Sequence, residues 1–147
     1  MSPFELGTDG PQVIVVGVDG SLTSLHAAAY AAGMARRQSA QLYVVFVRST
    51  PPMAALSPMG FASAQRALDE TQADLRQRIL DGAALIGLSV EFLTTEGDTF
   101  AELVKVADKV RADAVVVGTS TQAGHRVIGS IAVRLVRLGR WPVMVVP

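Results

Sequence analysis

Apolar and polar residues alternate along this chain in blocks, and the blocks predict the fold. Residues 12–18 (QVIVVGV) are a near-continuous apolar run of strand length, the mark of a strand buried on both faces. Asp19-Gly20-Ser21 then gives a turn and a helix start, and residues 21–39 repeat apolar positions at helical spacing: Leu25, Ala28, Ala29, Ala32 and Ala35. Residues 41–47 (QLYVVFV) predict a second strand. Pro51, Pro52 and Pro58 break up residues 48–60, and a long helix is expected over residues 61–86, with Phe61, Ala64, Leu68, Leu75, Ile79 and Ile86 inward and Gly87 as its C-cap. Residues 88–95 alternate as a third, edge strand would, with Val90, Phe92 and Thr94 on one face. A third helix follows over residues 100–111, with Leu103, Val104, Ala107 and Val110 inward. Residues 114–117 (AVVV) predict a fourth strand, Gly129 or Ser130 starts a fourth helix that Gly139 and Pro142 end, and residues 143–146 predict a fifth strand.

Strands and helices in strict alternation predict an α/β fold: a doubly wound five-stranded parallel sheet with helices on both faces. With the strands in the order 3-2-1-4-5, the winding reverses between strands 1 and 4. Ligands in open parallel sheets bind beyond the carboxyl ends of the strands at such a reversal. The loop after strand 1 carries Asp19, and the stretch after strand 4 runs from Gly118 to Ser130, rich in glycine and hydroxyl side chains. Asp19 would accept hydrogen bonds from a ribose hydroxyl or a base, and backbone groups near Val47 would read a base edge. The amides of Gly129, Ser130 and Ile131 at a helix start would face phosphate. Plainer readings stand beside these: Asp19 and Ser130 as helix caps, and Gly118 as a residue that lets the strand turn.

Composition narrows the partners. The 147 residues are half apolar, with 13 basic against 13 acidic side chains and no cysteine. One domain over residues 1–147 is expected, its first 11 residues an extension. Zero formal net charge argues against broad attraction to nucleic acid or to an anionic membrane. The absence of cysteine removes disulfide, thiol-redox and cysteine–zinc chemistry. No apolar run nears the roughly 20 residues of a membrane span, and the N-terminus lacks the layout of a secretory signal, so a cytoplasmic protein is expected.

Other chemistry finds little support. There is no Walker loop, and Gly17 and Gly20 do not complete a dinucleotide fingerprint. Ser120 sits in a sequence that lacks the second glycine of a nucleophile elbow, and His26 and His125 are the only histidines. No spacing suggests a metal site. No catalytic residue is assigned; a hydrolase using Ser120 or Asp19 is the weakest alternative. Met53, Leu56, Met59 and Phe61 would either form an apolar lid over a base or lie on a surface connection.

Taken in order, Val13 to Ser21, Gly97-Asp98, Val115 to Gly118, Gly129-Ser130 and Trp141 to Val146 resemble the universal stress protein family over nearly the whole chain. The resemblance implies the five-stranded fold above, usually a dimer, in a family divided into ATP-binding and non-binding members. It places Asp19 and Val47 at the adenosine, and Gly118, Gly129, Ser130 and Ile131 at the phosphates of ATP or a related adenine nucleotide, with Mg2+ arriving only with the nucleotide. Binders carry a G-x2-G-x9-G-[S/T] loop. Here Thr121 replaces the second glycine and the following interval is two residues short. Arg126 would add a bidentate phosphate contact or else stay solvated. The apolar last strand, residues 143–146, would pair with its copy in a homodimer. The expected role is a nucleotide-binding stress-response module and not an enzyme, with a nucleotide-independent interaction protein of the same fold as the alternative.

Overall fold

The computed structural model describes residues 10–122 and 125–147. In chain order its elements are β1 (Val13–Val18), α1 (Leu22–Gln38), β2 (Gln41–Arg48), a short 3-10 turn (Ala54–Leu56), α2 (Pro58–Ile86), β3 (Val90–Glu96), α3 (Thr99–Val110), β4 (Ala114–Gly118), β5 (Ser120–Gln122), β6 (His125–Val127), α4 (Ser130–Leu138) and β7 (Val143–Val146). Five strands form a parallel sheet in the order β3-β2-β1-β4-β7, with β7 as the fifth strand of the expected order. The winding reverses between β1 and β4, as expected.

Alternation along the strands splits the core in two. Ile14, Val16, Leu42, Val44, Phe46 and Val116 face α1 and α2, while Val15, Val45, Val115 and Val117 face α3 and α4. Ile14, Val15, Val16, Val44, Val45, Val115 and Val116 are fully buried, which is why the central strands are apolar on both faces.

Four details differ from expectation. Phe61 and Ile86, expected inward on α2, are exposed. The buried stripe of α1 is Ser24, Ala27, Ala28, Ala31 and Ala35, and Ala29 is exposed. On β3, Phe92 is buried but Thr94 is exposed. The helix α2 starts three residues early, because Ser57 caps the amide of Gly60 at 3.0 Å and Pro58 takes the first helical position, where a missing N–H costs nothing. That helix is lightly anchored by apolar contact, with only Leu75 and Ala83 buried. Arg48, at the end of β2, supplies a polar anchor. Its guanidinium donates to Gln72 Oε1 (2.7 Å) and Gln65 Oε1 (3.0 Å) and pairs with Asp69 (2.8 Å), while Glu96 of β3 lies 3.5 Å away.

Candidate functional site

A cleft of about 470 Å³ opens at the carboxyl ends of β1 and β4. Asp19, Val47, Gly118, Gly129 and Ile131, all singled out from the sequence, line it. Ser130 does not line it; it is the first residue of α4, exposed, with Gly129 as the N-cap. Thr121 and Arg126 face each other across the antiparallel β5–β6 hairpin. Their side chains lie outside the described part of the structure, as does Gly124.

The wall on the β1 side is built by short-range hydrogen bonds. Gly20 turns the chain with φ +90°, a conformation that favours glycine. Asp19 Oδ1 accepts from the Ser21 amide (2.9 Å), Ser21 Oγ caps the Ser24 amide (3.2 Å), and Ser24 Oγ accepts from the Asp19 amide (3.2 Å). The cap of α1 is therefore Ser21, and Asp19 closes a turn in front of it. Partial burial of the Asp19 carboxylate opposes ionisation, but hydrogen bonds from the Ser21 hydroxyl and amide and from Ser24 outweigh it and hold its pKa below the ordinary value. Asp19 is thus an anionic acceptor in the cleft at neutral pH.

The β4 side depends on two close approaches. A Cβ on Gly118 would stand 2.6 Å from the Thr23 carbonyl and 2.8 Å from the Ser24 amide. Gly118 lies inside β4 with no positive φ, so its lack of a side chain lets the first turn of α1 sit against the strand end. The Thr23 hydroxyl then donates to the Thr119 carbonyl at 2.5 Å, joining the two walls. A Cβ on Gly129 would fall on the Ser120 Oγ, at 2.2 Å.

The sequence reading did not place Thr23, Thr99, Leu103 or Thr119 at the site, though they also line the cleft, and it weighed Ser120, another lining residue, only as a hydrolase nucleophile. Thr23 is 5% exposed, and a hydroxyl buried at the first turn of an alanine-rich helix was the available signal. Among the described residues Thr119 Oγ1 is buried without a hydrogen-bond partner. The expected loop between Gly118 and Ser130 contains a hairpin instead. Met53, Leu56, Met59 and Phe61 are exposed, and none lines the cleft; Phe61 borders a neighbouring polar recess beside Arg48. Among the described residues no hydrogen bond joins Ser120 to a histidine, and His26 Nδ1 lies 3.2 Å from the Pro147 carbonyl. Among the same residues no cluster of three or more carboxylate or imidazole groups could hold a metal ion, and no helix is long and apolar enough to cross a membrane.

A parallel sheet reversing at β1/β4, with a small-residue cleft at the reversal, defines an α/β protein with a ligand-sized site at its switch point. The universal stress protein family model matches residues 11–147, and the chain belongs to that family. It is 30% identical over 136 residues to a universal stress protein of Methanocaldococcus jannaschii, covering 90% of this chain and 80% of that one. Among solved structures it is similar to a universal stress protein in complex with cAMP, at 27% identity and TM-score 0.70, covering 93% of this chain and 97% of the other. It also shares the fold of a universal stress protein from Lactobacillus plantarum, at 21% identity and TM-score 0.77, covering 92% and 97%.

Proposed function

We propose that the cleft binds an adenine nucleotide and that the protein serves as a cytoplasmic, dimeric nucleotide-binding module in the stress response. The observation that carries this reading is the gathering of Asp19, Val47, Gly118, Gly129 and Ile131 on one cleft at the switch point. Asp19 accepts from the ribose, the backbone near Val47 reads the base, and the free amides at the start of α4 take phosphate. The similar protein solved with cAMP supports an adenine ligand. Dimerisation is proposed through β7, which pairs with β4 on one side and forms the edge of the sheet on the other.

Thermal unfolding with and without ATP, ADP, AMP and cAMP tests the reading. A ligand at 100 times its Kd should add about 2.7 kcal/mol, and Asp19→Ala should remove the shift. No shift with any nucleotide at millimolar concentration favours the nucleotide-independent interaction protein. That alternative draws on the hairpin that stands where a phosphate loop was expected. A monomer in light scattering at micromolar concentration would remove the dimer.

A further inference from the structure

We infer that the groove between α1 and α2 is a second binding site, and that it takes a single-chain amphiphile with an anionic head, a free fatty acid carboxylate. The groove lies on the face of the sheet opposite α3 and α4, and it shares no lining residue with the cleft at the switch point. Its shape and its charge point to the same class of molecule.

The groove holds about 490 Å³. Its floor is the sheet, through Leu42, Val44 and Val90, and its walls carry small residues, Ala32 and Gly33 on α1 and Gly82 and Ala83 on α2. Few close backbone approaches join the two helices. Glycine inside a helix is unfavourable relative to alanine, yet Gly33 and Gly82 stand inside α1 and α2. Packing does not demand either. Among the described residues a Cβ on Gly82 would meet nothing within 4 Å, and one on Gly33 would meet only the Arg37 guanidinium, at an ordinary 3.5 Å. Their small size keeps the groove open. The α1 wall runs from Leu25 to Arg36, about 17 Å at a rise of about 1.5 Å per residue. Divided into the volume, that length leaves a cross-section of about 30 Å², against about 80–110 Å² for a helix 10–12 Å across. A partner's helix does not fit; an extended hydrocarbon chain does.

The lining is apolar except for Arg36, in the last turn of α1, and Arg78 on α2, both exposed at the rim. Arg78 pairs with Asp74 at 3.2 Å, but both partners are more than half exposed, and such a pair is weak enough for an incoming carboxylate to replace. A guanidinium takes a carboxylate through two parallel hydrogen bonds. An apolar trough with cations at its rim matches a molecule with the same two parts. Its chain lies against Ile79, Leu88 and Val90, and its anionic head meets the arginines. A purely apolar protein surface would cover both guanidinium groups without giving them an acceptor, which is costly, and a cationic amphiphile would be repelled. At about 1.3 Å of advance per carbon, from bonds of about 1.5 Å, a wall of about 17 Å matches a chain of roughly a dozen carbons.

Isothermal titration of the full chain with dodecanoate, octanoate and dodecyltrimethylammonium, each below its micelle concentration, tests the assignment. The expected result is one dodecanoate per chain, with octanoate at least tenfold weaker for its shorter chain and the dodecyl cation at least tenfold weaker for its charge. Gly82→Leu puts a side chain into the open space, so dodecanoate should bind at least tenfold more weakly while the urea midpoint stays or rises. Ala29→Leu, from the α1 wall, should block the groove in the same way. Changing Arg36→Gln and Arg78→Gln together should remove the preference for dodecanoate over the dodecyl cation. Absence of saturable dodecanoate binding would overturn the proposal. So would the cation binding as tightly as dodecanoate, folded Gly82→Leu and Ala29→Leu variants that bind dodecanoate as the parent does, or a preference for the anion that survives the double arginine change.

Discussion

Two helix starts face each other across the cleft, and they are finished in opposite ways. The start of α1 is closed by its own residues: Ser21 caps it, and Asp19 and Ser24 complete a ring of hydrogen bonds in front. The start of α4 has glycine at the cap and no side-chain hydrogen bond. Capping by Ser21 satisfies an orphan amide and stabilises the fold, whereas the bare cap at Gly129 leaves the α4 amides free for an external acceptor. One wall is thus committed to structure and to an anionic acceptor, and the other stays open to an anion. On the nucleotide reading proposed above, ribose would lie toward Asp19 and phosphate toward Gly129.

The harshest way to break this arrangement is to push the walls apart. Gly118→Val places side-chain atoms against the Thr23 and Ser24 backbone, which cannot rotate away. A loss of about 3 kcal/mol is expected from overpacking, read as a lower urea midpoint, and nucleotide binding should go with it. An unchanged midpoint would mean that α1 does not depend on this approach. Removing the closed cap is milder. Ser21→Ala should cost about 1 kcal/mol, measured the same way, and loosen the turn that holds Asp19.

At the open cap the same kind of change should act on binding more than on folding. Gly129→Ala sets a methyl against the Ser120 Oγ, a side chain that can turn aside, so about 0.5–1 kcal/mol of stability is expected to go. The methyl also stands beside the amides proposed for phosphate, so AMP affinity should fall about tenfold, or 1.4 kcal/mol. Combining it with Ser120→Gly should recover part of the stability, because the two sites are in contact, but not the affinity. Recovery of both would show that Gly129 serves packing alone.

These contrasts also mark where the sequence was readable. The central strands announced themselves because a parallel sheet covered on both faces needs unbroken apolar runs such as Val13 to Val18. Alternation and handedness pointed to a doubly wound sheet, while its order, and with it the switch point, was supposed and then drawn from the family resemblance. The inward face of α1 was misplaced because a helix so rich in alanine gives no contrast in size: Ala27 and Ala31 are fully buried and Ala29 is exposed, yet all three look alike. Pro58 read as a breaker because its meaning depends on Ser57 capping the turn before it. The β5–β6 hairpin was invisible, since Ser120-Thr121-Gln122 carries no apolar alternation. Close approach hid Gly118's purpose. Its neighbour Thr23 is 95 residues away in sequence, and only the folded chain shows that a Cβ would strike it.

The smallest expected effect concerns charge at the closed wall. Asp19 has a folded-state pKa below its ordinary value of 3.8. A carboxylate depressed on folding adds stability above its unfolded pKa, and that contribution is lost as pH falls through the depressed folded value. Stability should therefore decline on acidification below about pH 4, the ordinary carboxylate range, and Asp19→Asn should flatten that part of the profile while changing the urea midpoint little at pH 7. The same variant keeps an acceptor oxygen but removes the anion. On the nucleotide reading, a loss of nucleotide affinity in Asp19→Asn would assign the proposed ribose contact to the anion and not to an acceptor oxygen alone.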